Sequence, residues 1–149
     1  MSTQHIGAAG ELLVQYRLLK MGLDSARLTT DSGVDLVVYS PTTAQAITVQ
    51  VKTVQEPTPA GGRGKLAVGW NFPHDLRAQV LATVVLSEDA VWLFTMAEAR
   101  SLAQQHSDRG VRRFYWYTDP ATSQVDGVPL RQADMDTHLL AQSAPKLFA

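Results

Sequence analysis

Four side chains in the first third of the chain have the types and spacing to do chemistry together: Glu11, Asp35, Gln50 and Lys52. Asp35 lies near the start of the apolar run VDLVVYS, and Gln50 and Lys52 stand two apart in AITVQVKTV. Side chains two apart on a strand share a face, so Gln50 and Lys52 point the same way, with Val49 and Val51 on the other side. Asp35 is expected to face them across the hairpin. Carboxylate oxygens are the ligands Mg²⁺ prefers, and a lysine beside such an ion orients or deprotonates a water, or stabilises charge on a phosphate. A plainer reading competes: Asp35 caps a turn, Gln50 and Lys52 lie on a solvated strand face, and Glu11 is an ordinary helix-surface acid.

The elements that would carry these residues follow from periodicity. HIGAAGELLVQYRLLKMGL, starting near His5, spaces Leu12, Leu13, Tyr16, Leu18 and Leu19 as one broad apolar helix face, with Gly22 as the stop. LDSARLTTDSG reads as a short strand with a turn at Asp31, Ser32 and Gly33, before VDLVVYS, the turn PTTAQ and the strand AITVQVKTV. Residues 55 to 65, QEPTPAGGRGK, concentrate Pro and Gly and predict a mobile loop. LAVGWNF predicts a strand and HDLRAQVL a helical turn or short helix leading into the next strand. VLATVVLS and AVWLFT read as adjacent buried strands separated by Glu88 and Asp89. MAEARSLAQQH reads as a helix capped by Thr95 with Glu98 three residues on, VRRFYWYT as a strand ending at Asp119 and Pro120, and RQADMDTHLLAQ as a C-terminal helix.

The order of GxxGE in a first helix, GVDLVV in a strand and VQVKT in the next resembles the PD-(D/E)XK nuclease superfamily, in the branch of archaeal Holliday junction resolvases and small restriction-type endonucleases. The motifs cover Gly7 to Thr53, and the αβββαβ order extends the likeness to about Thr95. The resemblance implies an α/β fold, a central mixed sheet flanked by helices with a restriction endonuclease-like core, and residues 1–149 forming one domain. It implies a metal-dependent DNA endonuclease using Mg²⁺ or Mn²⁺. Position by position, Glu11 matches the helix acid, Asp35 the metal-binding aspartate, Gln50 the second acidic position and Lys52 the catalytic lysine. The Val51 carbonyl would complete a metal shell of Asp35, Glu11 and Gln50. Gln50 departs from the family's Glu or Asp: its carbonyl still coordinates a hard cation but brings no charge. The alternative is therefore an inactive nuclease-fold module that binds nucleic acid or a protein partner. A homodimer also follows from the resemblance, since cleavage of two strands needs two sites.

DNA contacts would come from Arg63 and Lys65 in the Gly-rich loop and from Arg109, Arg112 and Arg113 beside Phe114, Tyr115, Trp116 and Tyr117, although a strand with its aromatics in the core and its arginines in solvent is the plainer and favoured reading of that last segment. Global charge is silent: 13 Lys+Arg against 14 Asp+Glu give −1. GGRGKL is no phosphate loop, because Pro59 stands where the first glycine belongs and Leu66 where a Mg²⁺-binding hydroxyl belongs. His5, His74, His106 and His138 are too scattered for a metal motif, although His5 is near enough in sequence to approach Glu11. Trp70, Trp92 and Trp116 read as packing. A 45% hydrophobic, 18% charged composition is that of a folded chain, and without cysteine there is no disulfide or thiolate site. No stretch reaches the roughly 18 apolar residues that span a bilayer, and the N-terminus does not read as a signal peptide, so a cytoplasmic protein is expected.

Overall fold

Helix α1, Thr3–Leu19, opens the chain in the computed structural model, which describes residues 1–30, 32–122 and 130–148. The Ser2 hydroxyl caps it by accepting the His5 N–H. At its end the Leu23 N–H donates to the Leu18 carbonyl while Gly22 takes a φ of 79°, a left-handed stop open to glycine at little cost. The buried face is not the predicted one. Gly10, Val14 and Leu18, four residues apart, face inward, whereas Leu12, Tyr16 and Leu19 are more than half exposed. The helix is apolar on two sides, and the side carrying glycine is the one that can approach a sheet.

Strands β1 (Asp24–Arg27), β2 (Leu36–Tyr39) and β3 (Ala46–Val54) follow as an antiparallel meander. Of the predicted turn after β1, Ser32 and Gly33 are described, and Asp31 lies outside the described residues. The segment predicted as a mobile loop instead builds a small hairpin: β4 (Thr58–Pro59) pairs with the start of β5 (Leu66–Pro73) around a 3₁₀ turn at Ala60–Gly62. Gly61 and Gly62, at φ values of 61° and 81°, make that turn, so the glycines serve a specific geometry rather than mobility. HDLRAQVL forms no helix. After Pro73 it runs as an irregular connection that buries Leu76 and Ala78, two residues apart.

β6 (Val80–Val85) and β7 (Ala90–Thr95) are the expected buried pair, with Asp89 at φ 48° closing the turn between them. Helix α2, Met96–Leu102, starts on the expected box, the Thr95 hydroxyl accepting the Glu98 N–H and the Glu98 carboxylate accepting the Thr95 N–H. It ends earlier than predicted, because Gln105–His106 become a short strand, β8, on β9 (Val111–Tyr117). The predicted last helix is displaced: β10 (Leu130–Arg131) and 3₁₀ turns over Gln132–His138 precede α3, Leu140–Phe148. Arg131 and Asp134 form an ion pair in that stretch, and the extended Leu139 breaks helical continuity.

The central sheet runs β1-β2-β3-β6-β7 and is mixed, with β3 and β6 parallel and the other pairs antiparallel. One face packs Leu36, Val38, Val49, Val51, Val84 and Leu93 under α1 and α3. The other meets a second sheet, β10-β9-β5-β4, across Trp70, Phe72, Trp92, Phe94, Phe114 and Trp116. The α/β class and the central mixed sheet are as the sequence predicts, and the three tryptophans are core residues. The second sheet is an addition to that prediction. No described helix is long and apolar enough to cross a membrane.

Candidate active site

The site begins with a glycine. A Cβ at Gly10 would lie 1.8 Å from Thr53 Oγ1, so only glycine lets α1 lie directly against β3. Glu11, next in the helix, is thereby held close to the sheet, with its side chain 19% exposed. Its Oε2 accepts from the Arg27 guanidinium of β1 at 2.6 Å.

Asp35 sits one residue before β2 and is fixed at three points. Its N–H donates to the Val49 carbonyl at 2.9 Å, its carbonyl accepts the Leu28 N–H at 3.0 Å, and Oδ2 accepts the Val51 N–H at 2.8 Å. Asp35 thus meets the Val51 main chain through the Val51 N–H, a contact distinct from the carbonyl expected as a metal ligand. The Glu11 and Asp35 carboxyl groups are near enough for each to feel the other's charge. Burial first, then the neighbouring Asp35 carboxylate, push the Glu11 carboxyl above its ordinary value, against the opposing pull of Arg27.

Gln50 and Lys52 flank this contact. Since Val49 and Val51 belong to the aliphatic core beneath α1, alternation directs Gln50 and Lys52 to the opposite face of β3. Glu11 thus approaches from one side of the sheet and Lys52 lies on the other, with Asp35 at the strand end between them. Gln50 is 7% exposed and its Oε1 is buried without a hydrogen-bond partner. An unpaired buried amide oxygen costs about 1–3 kcal/mol, so it stands out as a vacant acceptor. Lys52 is half-buried, takes part in no ion pair among the described residues, and lines a cavity of about 190 Å³ with Gly69, Trp70 and Asn71. Among the described residues no three His, Cys, Asp or Glu side chains cluster as a metal site, so the acidic content of this corner is the pair Glu11 and Asp35.

The proposed DNA contacts divide. Arg63 and Lys65 are exposed on the β4–β5 hairpin, and Arg109 on the turn before β9. Arg112 is committed elsewhere: its Nε donates to His74 Nδ1 at 2.7 Å and a terminal nitrogen donates to the Arg100 carbonyl at 3.0 Å. The Arg112 charge, above all, holds His74 below its ordinary value. Arg113, on the other face of β9, borders a groove of about 710 Å³ with Tyr115 and Tyr117. His5 turns to Ser2, its Nδ1 lying 2.6 Å from that hydroxyl. Sequence reasoning missed Gly10 and Arg27. GAAGE carried a signal for the first, since a glycine one turn from an apolar helix residue marks a close approach; nothing in LDSAR distinguished Arg27 from a solvated strand arginine.

No protein-family model and no curated protein matches the chain. Among solved structures, the chain is similar to a bacterial homing endonuclease, I-Ssp6803I, with a TM-score of 0.64 over 97% of this chain and 91% of that one, at 15% identity. Identity this low speaks to architecture alone: the two chains share a mixed α/β fold.

Proposed function

We propose that the protein is a metal-dependent DNA endonuclease of the PD-(D/E)XK type. The observation that carries this is the Glu11–Asp35 carboxyl pair, two neighbouring acids, one of them bonded to the Val51 main-chain N–H. Like charges this close are unfavourable unless a proton or a cation sits between them. The donor chemistry suits a hard divalent ion: the two carboxylates are oxygen ligands of the kind Mg²⁺ or Mn²⁺ takes and the Val51 carbonyl would be a third, while the vacant Gln50 Oε1 lies on the opposite face of β3. Such an ion would supply Lewis-acid stabilisation of charge on a phosphate and a lower pKa for its bound water.

The protein's own contribution is positional. Val51 holds one Asp35 oxygen and leaves the other for a ligand, Arg27 fixes Glu11, and Lys52 brings a cation that would orient the attacking water or offset phosphate charge. A homodimer belongs to the same proposal, because cutting both strands takes two sites. The second reading, a non-cleaving module, draws on one observation: Gln50 replaces an acid, leaving the corner short of the third carboxylate.

The test is incubation of the purified protein with branched, single-stranded and duplex DNA in Mg²⁺ or Mn²⁺. Cleavage is expected in the wild type, and its loss in Asp35→Ala and Lys52→Ala. Cleavage unchanged in both variants would remove the assignment. DNA binding without cleavage by the wild type selects the module.

A further inference from the structure

The groove beside the acidic corner has a chemistry of its own. On its face of the second sheet, β5 presents Ala67, Gly69 and Asn71 opposite Tyr117, Tyr115 and Arg113 of β9. The alternate residues Val68, Trp70, Phe114 and Trp116 point into the core. Small residues opposite large ones leave open space above the tyrosine rings. Gly69 is required for this: a Cβ there would lie 2.9 Å from Tyr115 Cβ and 2.8 Å from the Arg113 guanidinium. The two half-buried rings stand edge to face with centroids 6.2 Å apart, and Arg113 lies 5.9 Å from the Tyr115 ring centre. The N-terminal turns of α1, at Thr3, Ile6 and Gly7, and the β4–β5 hairpin form the remaining walls.

Positive charge outnumbers negative in and around the groove. Arg113 lines it, Lys52 occupies the adjoining small cavity, and Arg63 and Lys65 are exposed on the hairpin, against Glu56 as the acid in the lining. The two cavities share Thr53, Val54 and Gly69, so the groove begins two residues along β3 from Val51. At strand rise that is about 7 Å, the length of roughly two stacked nucleotide steps. A volume of about 710 Å³ lies in the range of sites that enclose a small ligand, and is far too small for a duplex.

The geometry points to a subsite for unpaired nucleotides: a single-stranded segment of the DNA substrate enters this groove, a base stacks on Tyr115 or Tyr117, and Arg113 takes its phosphate. This rests on the endonuclease proposal and narrows its substrate to DNA with unpaired nucleotides next to the cut, such as a flap, bulge or junction.

The test separates the two claims by measuring binding without cleavage. Fluorescence anisotropy of a labelled oligo-dT and of a blunt duplex of equal length, with EDTA and at low salt, is compared for the wild type, Tyr115→Ala, Tyr117→Ala, Arg113→Ala and Tyr115→Phe, each checked for folding by circular dichroism. The wild type is expected to bind the single strand, and each alanine variant to bind it about tenfold more weakly, as loss of one base–aromatic stack or one phosphate contact implies. Duplex binding is expected to change less than twofold, and Tyr115→Phe to keep single-strand affinity because it keeps the ring. Equal weakening for both DNAs, or none for the single strand, overturns the subsite. If the alanine variants lose oligo-dT while the wild type cuts no DNA in Mn²⁺, the subsite stands and the endonuclease reading falls; cleavage with unchanged oligo-dT binding is the reverse.

Discussion

Between the two sheets, Trp70, Trp92, Phe94, Phe114 and Trp116 meet as tilted or edge-to-face pairs, with ring centroids as close as 4.8 Å. Two of the three indole N–H groups find acceptors, at Val84 and Gln132. Where α1 meets β3, on the opposite face of the central sheet, Gly10 is pressed on Thr53, whose hydroxyl is buried without a partner, and two acids lie side by side; across the strand the Gln50 oxygen is also buried without a partner. The first region is arranged for packing. The second holds like charges and vacant acceptors together, which costs stability, and its groups are those a cation would satisfy.

That contrast breaks most sharply in the aromatic layer. Trp116→Ala should destabilise the protein by about 3–5 kcal/mol through the cavity it leaves, read as a shift in urea midpoint, with any cation-induced stabilisation surviving in the folded fraction. A change below about 1 kcal/mol would mean that the second sheet is not packed as described.

A smaller effect sharpens the other side. Gly10→Ala sets overpacking against Thr53, costing about 1–3 kcal/mol, against a helix-propensity gain of roughly 0.5–1 kcal/mol. We expect net destabilisation in the wild-type background and a smaller loss once Thr53→Ala removes the hydroxyl and methyl, since the Thr53 Cβ, 2.8 Å from the added Cβ, stays in place; a double-mutant cycle reads this coupling directly. Additive effects would show that α1 is not held by this contact.

The smallest change concerns Glu11. Because its folded-state pKa is raised, its stabilising contribution is fully present below the ordinary value of 4.5 and is lost as pH rises through the folded value; at neutral pH the charged group is a liability. In EDTA at pH 7, Glu11→Gln should therefore melt no lower than the wild type, even though the Arg27 ion pair is gone. A lower Tm would make the corner a structural ion pair instead.

The sequence exposed part of this corner and hid part of it. Asp35 at the head of one strand and Gln50 and Lys52 on the next were legible because alternation fixes strand faces, and the Thr95–Glu98 cap and the Gly22 stop were legible because each is a local interaction. The inward face of α1 was not: Leu12, Tyr16 and Leu19 carry more apolar surface than Gly10 and Val14, and only the tertiary contact with Thr53 decides the orientation. The second sheet escaped because β4, β8 and β10 are two residues long, too short for any periodicity, and are strands only by virtue of their partners. In VRRFYWYT the same alternation that placed Gln50 separates Phe114 and Trp116 from Tyr115 and Tyr117, and Arg112 from Arg113.

The most direct measurement is the rise in melting temperature on adding Mn²⁺, followed from pH 8 to pH 5 in the wild type and in Asp35→Asn. A cation that binds the folded state at 100 times its Kd adds about 2.7 kcal/mol. The Glu11 carboxyl must be ionised to bind it, so the rise should be largest at pH 8, shrink on acidification toward the raised Glu11 pKa, and vanish in Asp35→Asn. An equal rise in both proteins, or none in the wild type at pH 8, would contradict the assignment of this corner to a divalent cation.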